Sequence, residues 1–188
     1  YTEADGTAWV YAKAGASALG AGKCGQCIGV TANHINKAPT ANVAAGAKSL
    51  SITVGATAVT ANQYAYGWLE VNSGTGAGQR INIISNTACD SSGTTTVYLE
   101  DPVMVALTAA GSKVSLIPNP WNGVVESTTA TSTPAGVPLI PVTAGYYYWA
   151  QVAGPACVLI EGTPAVGSQL TFSASAAGAV AVMTGTVA

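Results

Sequence analysis

Leu50-Ser51-Ile52-Thr53-Val54 alternates apolar and small polar residues with a period of two. A strand turns successive side chains to opposite faces, so this spacing predicts a half-buried β-strand with Leu50, Ile52 and Val54 inward. The same reading extends along the chain. Tyr64, Tyr66 and Trp68 alternate with Ala65 and Gly67 and run on into Leu69-Glu70-Val71. Ile81 and Ile83, Val97 and Leu99, and Val114 and Leu116 each flank one residue, and further apolar runs fall at 137–142, 146–152, 157–160, 170–172 and 180–183. Turn clusters such as Asn72-Ser73-Gly74, Asp90-Ser91-Ser92-Gly93 and Glu161-Gly162-Thr163-Pro164 separate them. Many short strands at this spacing predict an all-β fold, a sandwich or small barrel of antiparallel strands.

Three segments read differently. Residues 12–22 are Ala-rich, but glycines at 15, 20 and 22 make a stable helix a poor expectation. Residues 1–48 are therefore expected as an irregular, extended Gly/Ala-rich N-terminal arm and loop region. The best helix candidate is 102–108, where Asp101-Pro102 can start a short turn. A run of Thr, Ser and Ala before Pro134 suggests a boundary, dividing the remainder into a β domain at 49–126 and a C-terminal β subdomain at 127–188.

Charge is scarce. The 188 residues are 7% charged and 49% hydrophobic, and residues 127–188 carry one formal charge, Glu161. Soluble domains average roughly 25% charged residues, so most of this surface is expected to be covered, by a membrane, a partner or further copies of the chain. No window reaches the roughly 18 apolar residues of a spanning helix, and the strand candidates are too short for a lipid-facing barrel. Tyr1-Thr2-Glu3-Ala4-Asp5 is polar, so no export segment is expected there. The six basic residues (Lys13, Lys23, Lys37, Lys48, Arg80 and Lys113) are scattered singly, and the net charge is −2. Nucleic acid, which needs clustered cations, is not an expected partner.

Few residues suggest chemistry. In Cys24-Gly25-Gln26-Cys27 the following Ile28-Gly29-Val30-Thr31 is β-like, whereas a redox pair needs a helix N-terminus. Three readings stay open: a zinc site formed by Cys24, Cys27 and His34 with Cys89 or Cys157 as a fourth ligand, a disulfide involving Cys24 or Cys27, or plain thiols. His34 is the only histidine, so any nucleophile–histidine arrangement would need it, and its Asn-rich surroundings (Asn33, Asn36) read as a solvated loop. Glu100 and Asp101 point to opposite faces of a strand end, unlike paired catalytic carboxylates. Gly74-Thr75-Gly76-Ala77-Gly78 lacks the lysine and helix of a phosphate loop and reads as a hairpin tip. Neither an enzyme nor a cofactor is expected.

The aromatic runs carry more. Tyr146-Tyr147-Tyr148-Trp149 places adjacent rings on both faces of one strand, so one face enters a core and the other needs cover. That cover is a subunit interface, where Tyr and Trp are enriched, or a sugar stacked on the rings. Sugar sites normally add Asp, Asn or Arg, and this part of the chain has one acid and no base. Self-association is therefore expected through Tyr146, Tyr147, Tyr148 and Trp149 and through Tyr64, Tyr66 and Trp68.

The stretch Gly145-Tyr146-Tyr147-Tyr148-Trp149-Ala150-Gln151-Val152-Ala153-Gly154-Pro155-Ala156, followed by Gly167-Ser168-Gln169-Leu170 and Ala177-Gly178-Ala179-Val180, resembles structural proteins of tailed-bacteriophage particles. Gly78-Gln79-Arg80-Ile81-Asn82-Ile83-Ile84-Ser85-Asn86-Thr87, Leu99-Glu100-Asp101-Pro102 and Ser112-Lys113-Val114-Ser115-Leu116 resemble the same virion proteins, over roughly residues 67–188. The resemblance implies a capsid decoration or cement protein, a homotrimer on the outer capsid surface of a virion assembled in the host cytoplasm, with the major capsid protein as partner. Trp9 and Tyr11 on the expected arm would then reach the shell. The alternative expectation is a carbohydrate-binding or adhesive module, such as a head fibre or an extracellular filament subunit.

Overall fold

The computed structural model describes residues 1–183, and the fold is all-β. The chain forms two compact units. One comprises Tyr1–Ile28 with the chain from Pro120 onward; the other is the continuous segment Gly29–Asn119.

Strands β3 (Ser49–Thr53), β4 (Trp68–Ser73), β5 (Arg80–Asn86), β6 (Thr94–Leu99) and β7 (Lys113–Ile117) build the continuous unit. They pair antiparallel in the order β3-β6-β5-β4-β7. Alternation does what its period requires: Leu50, Ile52, Leu69, Val71, Ile81, Ile83, Val97, Leu99, Val114 and Leu116 are all buried in one cluster. Two isolated bridges, Lys37 to Val114 and Pro39 to Ile52, lay residues 37–39 along both edge strands.

A polar clamp holds the loop before β4. The buried Asn86 side chain accepts from the Tyr64 backbone N–H (2.8 Å) and donates to the carbonyls of Thr60 (2.9 Å) and Thr87 (3.0 Å). Residues 64–67 are therefore a turn, not the start of a strand. Tyr66 takes a left-handed φ of 61° there, outside the extended region of regular strands.

In the other unit, β1 (Ala8–Ala14), β2 (Gly25–Gln26), β8 (Asn122–Glu126), β9 (Pro134–Pro138) and β10 (Tyr147–Ala153) close into a small barrel in the order β1-β10-β9-β2-β8. Strand β1 runs antiparallel to β10 and parallel to β8. Its interior is filled by Ala12, Ala14, Ala135 and Ala150 beside Leu19, Val124, Val142 and Tyr148. Five strands enclose a narrow space, and alanines fit where larger side chains would not. A short hairpin of β11 (Leu170–Phe172) and β12 (Val180–Val182) completes the unit. The lone acid of the C-terminal third is structural: Glu161 accepts from the Ser173 hydroxyl and from the Ser175 hydroxyl (2.7 Å). These two bonds hold its carboxyl below the usual carboxylate range.

This architecture corrects several expectations. The N-terminal segment is not an extended arm, because Ala8–Ala14 is a barrel strand whose inward positions are alanines that mask the period-two pattern. The boundaries at 48/49 and 126/127 do not separate the units. Residues 127–133 link β8 to β9 of one barrel, and the C-terminal strands belong with the N-terminal ones. The last five residues of the expected 127–188 subdomain lie outside the described residues. Residues 102–108 are bends and a bridge, not a helix. The run at 157–160 contributes only a single bridge, Ile160 to Val180. Among the described residues no helix is long and apolar enough to cross a membrane.

Gly74, in the turn between β4 and β5, has φ +76°, and an added Cβ would lie 2.1 Å from the Gly111 carbonyl oxygen. Gly74→Ala is expected to lower stability by more than about 1 kcal/mol in urea denaturation, from left-handed strain plus the clash.

Candidate functional site

The sequence-predicted residues separate into buried and exposed groups. Tyr64 is fully buried, and its hydroxyl donates to His34 Nδ1 (2.5 Å). His34 is itself fully buried, and its Nε2 donates to the Thr57 carbonyl (2.8 Å), which can only accept. His34 is thus neither a solvated loop residue nor a ligand, since both ring nitrogens are bonded within the unit. Tyr64 is a core residue and no part of an interface.

The two cysteines of the Cys24-Gly25-Gln26-Cys27 stretch pack in different places. Cys24 joins Val137 and Val180, while Cys27 packs against the barrel interior and donates its thiol to the Pro134 carbonyl (3.3 Å). The intervening strand β2 turns them apart. All four cysteines are free thiols, and among the described residues no group of three metal-ligating side chains converges. The zinc and disulfide readings are both set aside on this geometry. Burial raises the Cys24 and Cys27 thiols above their ordinary value, which leaves them poor nucleophiles.

Trp68 and Tyr66 lie on the continuous unit. Arg80 stacks its guanidinium on the Trp68 ring, 4.1 Å from the centroid, and pairs with Glu70 at 3.6 Å. Tyr66 is 79% exposed in its left-handed turn.

The other aromatics converge on the outer face of the barrel. Along β10 the pattern alternates, with Tyr147 and Trp149 exposed and Tyr148 buried. The pairing of β1 with β10 sets Tyr11 opposite Trp149 and Lys13 opposite Tyr147. Tyr11 stacks on Tyr147 with centroids 5.2 Å apart and planes 4° from parallel, and meets Trp149 at 5.3 Å in a tilted contact. Lys13 Nζ sits 5.4 Å over the Tyr147 ring. Trp9, next along β1, donates its indole N–H to Glu3 (3.1 Å).

These rings form one wall of a groove of about 480 Å³, whose other wall is the 139–143 loop. Ile140 on that wall is 66% exposed and Leu139 51%. The apolar run 137–142, expected as strand, is one only to Pro138, and the bends beyond turn Leu139 and Ile140 outward. Among the described residues no charged side chain lines the groove. Trp9 and Tyr11 therefore belong to the same surface as Tyr146, Tyr147 and Trp149. A smaller cavity of about 260 Å³ beside Cys24 contains the Gln151 amide, which already donates to the Ala153 (3.2 Å) and Pro155 (2.8 Å) carbonyls.

Beneath this face the buried Tyr148 hydroxyl has no hydrogen-bond partner among the described residues. Burial first, and the nearby Cys27 thiol second, push its phenol up to about 12. No known protein family, curated protein or solved structure matches the chain.

In the unfolded chain Tyr148 titrates near the ordinary phenol value of 10.0, below its folded value. The unfolded state therefore loses the proton first, so stability holds below pH 10 and falls as pH rises toward about 12. Tyr148→Phe is expected to flatten that alkaline slope. At neutral pH it should cost under about 0.5 kcal/mol, because the hydroxyl makes no bond to lose. Denaturation at several pH values checks both.

Proposed function

We propose that this chain is a structural virion protein that binds the assembled phage capsid and stabilises it, as a decoration or cement subunit. The observation that carries the reading is the aromatic and aliphatic face on the outside of the barrel, with a groove that no charged side chain lines among the described residues. Its rings are ordered by strand pairing and held against one another, yet they remain exposed. Obligate interfaces have this composition and resemble a domain core cut in half. The resemblance of the strand bearing Tyr146–Trp149 and its neighbours to virion proteins supports placing that interface on a capsid. The major capsid protein and further copies of the chain are the proposed partners, and no catalytic role is assigned.

Stabilisation would follow from linkage. A protein that binds the assembled lattice and not its free subunits shifts the assembly equilibrium at every occupied site. Modest contributions per copy then accumulate over a shell.

One observation favours a second reading, a carbohydrate-binding or adhesive module. A groove of about 480 Å³ lined by tyrosine and tryptophan rings has the size of a small-ligand site. Its walls offer few polar groups to orient a sugar, so this reading ranks second.

Purified chain mixed with undecorated capsids is expected to co-sediment at a fixed ratio and to raise their disruption temperature. Tyr147→Ser with Trp149→Ser should weaken the association of copies on which that binding draws by at least about tenfold, since truncating aromatic anchors costs about 2 kcal/mol or more. Absence of saturable capsid binding, together with indole fluorescence quenching by soluble oligosaccharides, would put the carbohydrate reading first.

A further inference from the structure

We propose that the chain self-associates head to tail, the turn bearing Met104 and Val105 of one copy seating in the aromatic groove of the next. This deepens the assembly reading above and rests on it for the role of the groove.

The turn is built to be rigid. On its two sides Val103 and Leu107 are buried in the core, and their backbones bond to Ala47, Gly46 and Val43. Between them a single side chain satisfies the backbone from behind. Gln79 Oε1 accepts from the N–H groups of Met104 (2.8 Å) and Val105 (3.0 Å), while its Nε2 donates to the carbonyls of Val105 and Gly76 (both 2.9 Å). Pinned in this way, the tip presents Met104 at 75% exposure and Val105 at 51%. Solvated loop tips are ordinarily polar and mobile. A fixed apolar tip instead has its ordering cost met before any contact forms, which is the condition for tight docking.

The groove complements this tip in chemistry and in charge. Its walls are aromatic rings and aliphatic side chains with no charge. A thioether adapts to irregular apolar space and gains about 0.3–1.5 kcal/mol against an aromatic ring. Lys13 stands at the Tyr147 end of the groove, and the exposed Asp101 precedes Met104 by three residues, so opposite charges flank the two surfaces. The charges elsewhere on the barrel unit are largely engaged: Lys23 pairs with Glu126 at 2.9 Å, Glu161 holds serines and Glu3 holds Trp9. A groove-to-groove pairing would instead bring two Lys13 side chains into one interface and leave both apolar tips in water. Contacts between unlike surfaces close into rings when the rotation allows and extend into filaments when it does not.

The test uses the full chain with a photoreactive diazirine methionine incorporated at position 104, and Met183→Leu to make that site unique. Isotopically heavy and light chains are mixed, irradiated and mapped by mass spectrometry. Expected are mixed heavy–light crosslinks from position 104 to peptides carrying Leu139, Ile140 or residues 146–149. Crosslinks confined to single chains, crosslinks to other peptides, or a wild-type chain that sediments as a monomer would each overturn the proposal. Met104→Asp should weaken self-association by at least about tenfold with an unchanged circular dichroism spectrum, because it places a charge in an apolar groove; unaltered association would overturn it as well. Capsid co-sedimentation of the wild-type chain reads the decoration role by itself, so a failed docking contact and a failed decoration role give different results.

Discussion

Strand pairing between β1 and β10 is the constraint on which the candidate surface depends. It joins residues separated by most of the chain, closes the barrel, and sets Tyr11 against Tyr147 and Trp149. Each aromatic contact is worth roughly 0.5–1.5 kcal/mol beyond its buried area, so the outer face itself helps to hold the closing strand. The interior makes the same closure possible from the other side. Four alanines keep the lumen narrow enough for a five-stranded wall, and Tyr148 fills the remaining space although its hydroxyl finds no partner there. One strand thus serves two surfaces, with Tyr148 inward and its neighbours outward.

The continuous unit is organised by different forces. Its sheet core is aliphatic, but two buried polar residues define the loops around it. His34 ties Thr57 to Tyr64, and Asn86 ties Tyr64 to Thr60 and Thr87. Satisfied buried networks of this kind restrict a loop to one conformation, because any alternative strands a polar group away from water. The cost of holding Tyr66 in a left-handed turn is met by that surrounding network.

Much of this was legible in the sequence, and the failures have physical reasons. The alternation at Leu50–Val54, at Ile81 and Ile83 and at Tyr146–Trp149 marks strands whose inward residues are large. Strand β1 escaped because its inward residues are Ala12 and Ala14, which periodicity does not distinguish from a loose Ala/Gly run. Strands β2 and β8 are short and contain Gly25 and Gly123. At 64–67 alternation was present without a strand, because Asn86 captured the Tyr64 backbone. His34 looked solvated beside Asn33 and Asn36; only the fold brings Tyr64 and Thr57 to its ring. Of the surface residues, Tyr147 and Trp149 were found from their alternation. Ile140 escapes because it lies inside the apolar run 137–142, whose composition reads as one strand.

The division of the chain also has a consequence for its birth on the ribosome. The unit Gly29–Asn119 is continuous and inserted between β2 and β8, which pair with each other in the finished barrel. It can fold as soon as it is synthesised, and in doing so it removes a long flexible loop from the later problem of joining β2 to β8. The barrel has no such option. Strand β1 is translated well before its antiparallel partner β10, so Trp9 and Tyr11 wait in water until β10 emerges. Strand β1 is made early and placed late, and a chain truncated before residue 147 would carry that unpaired aromatic edge permanently.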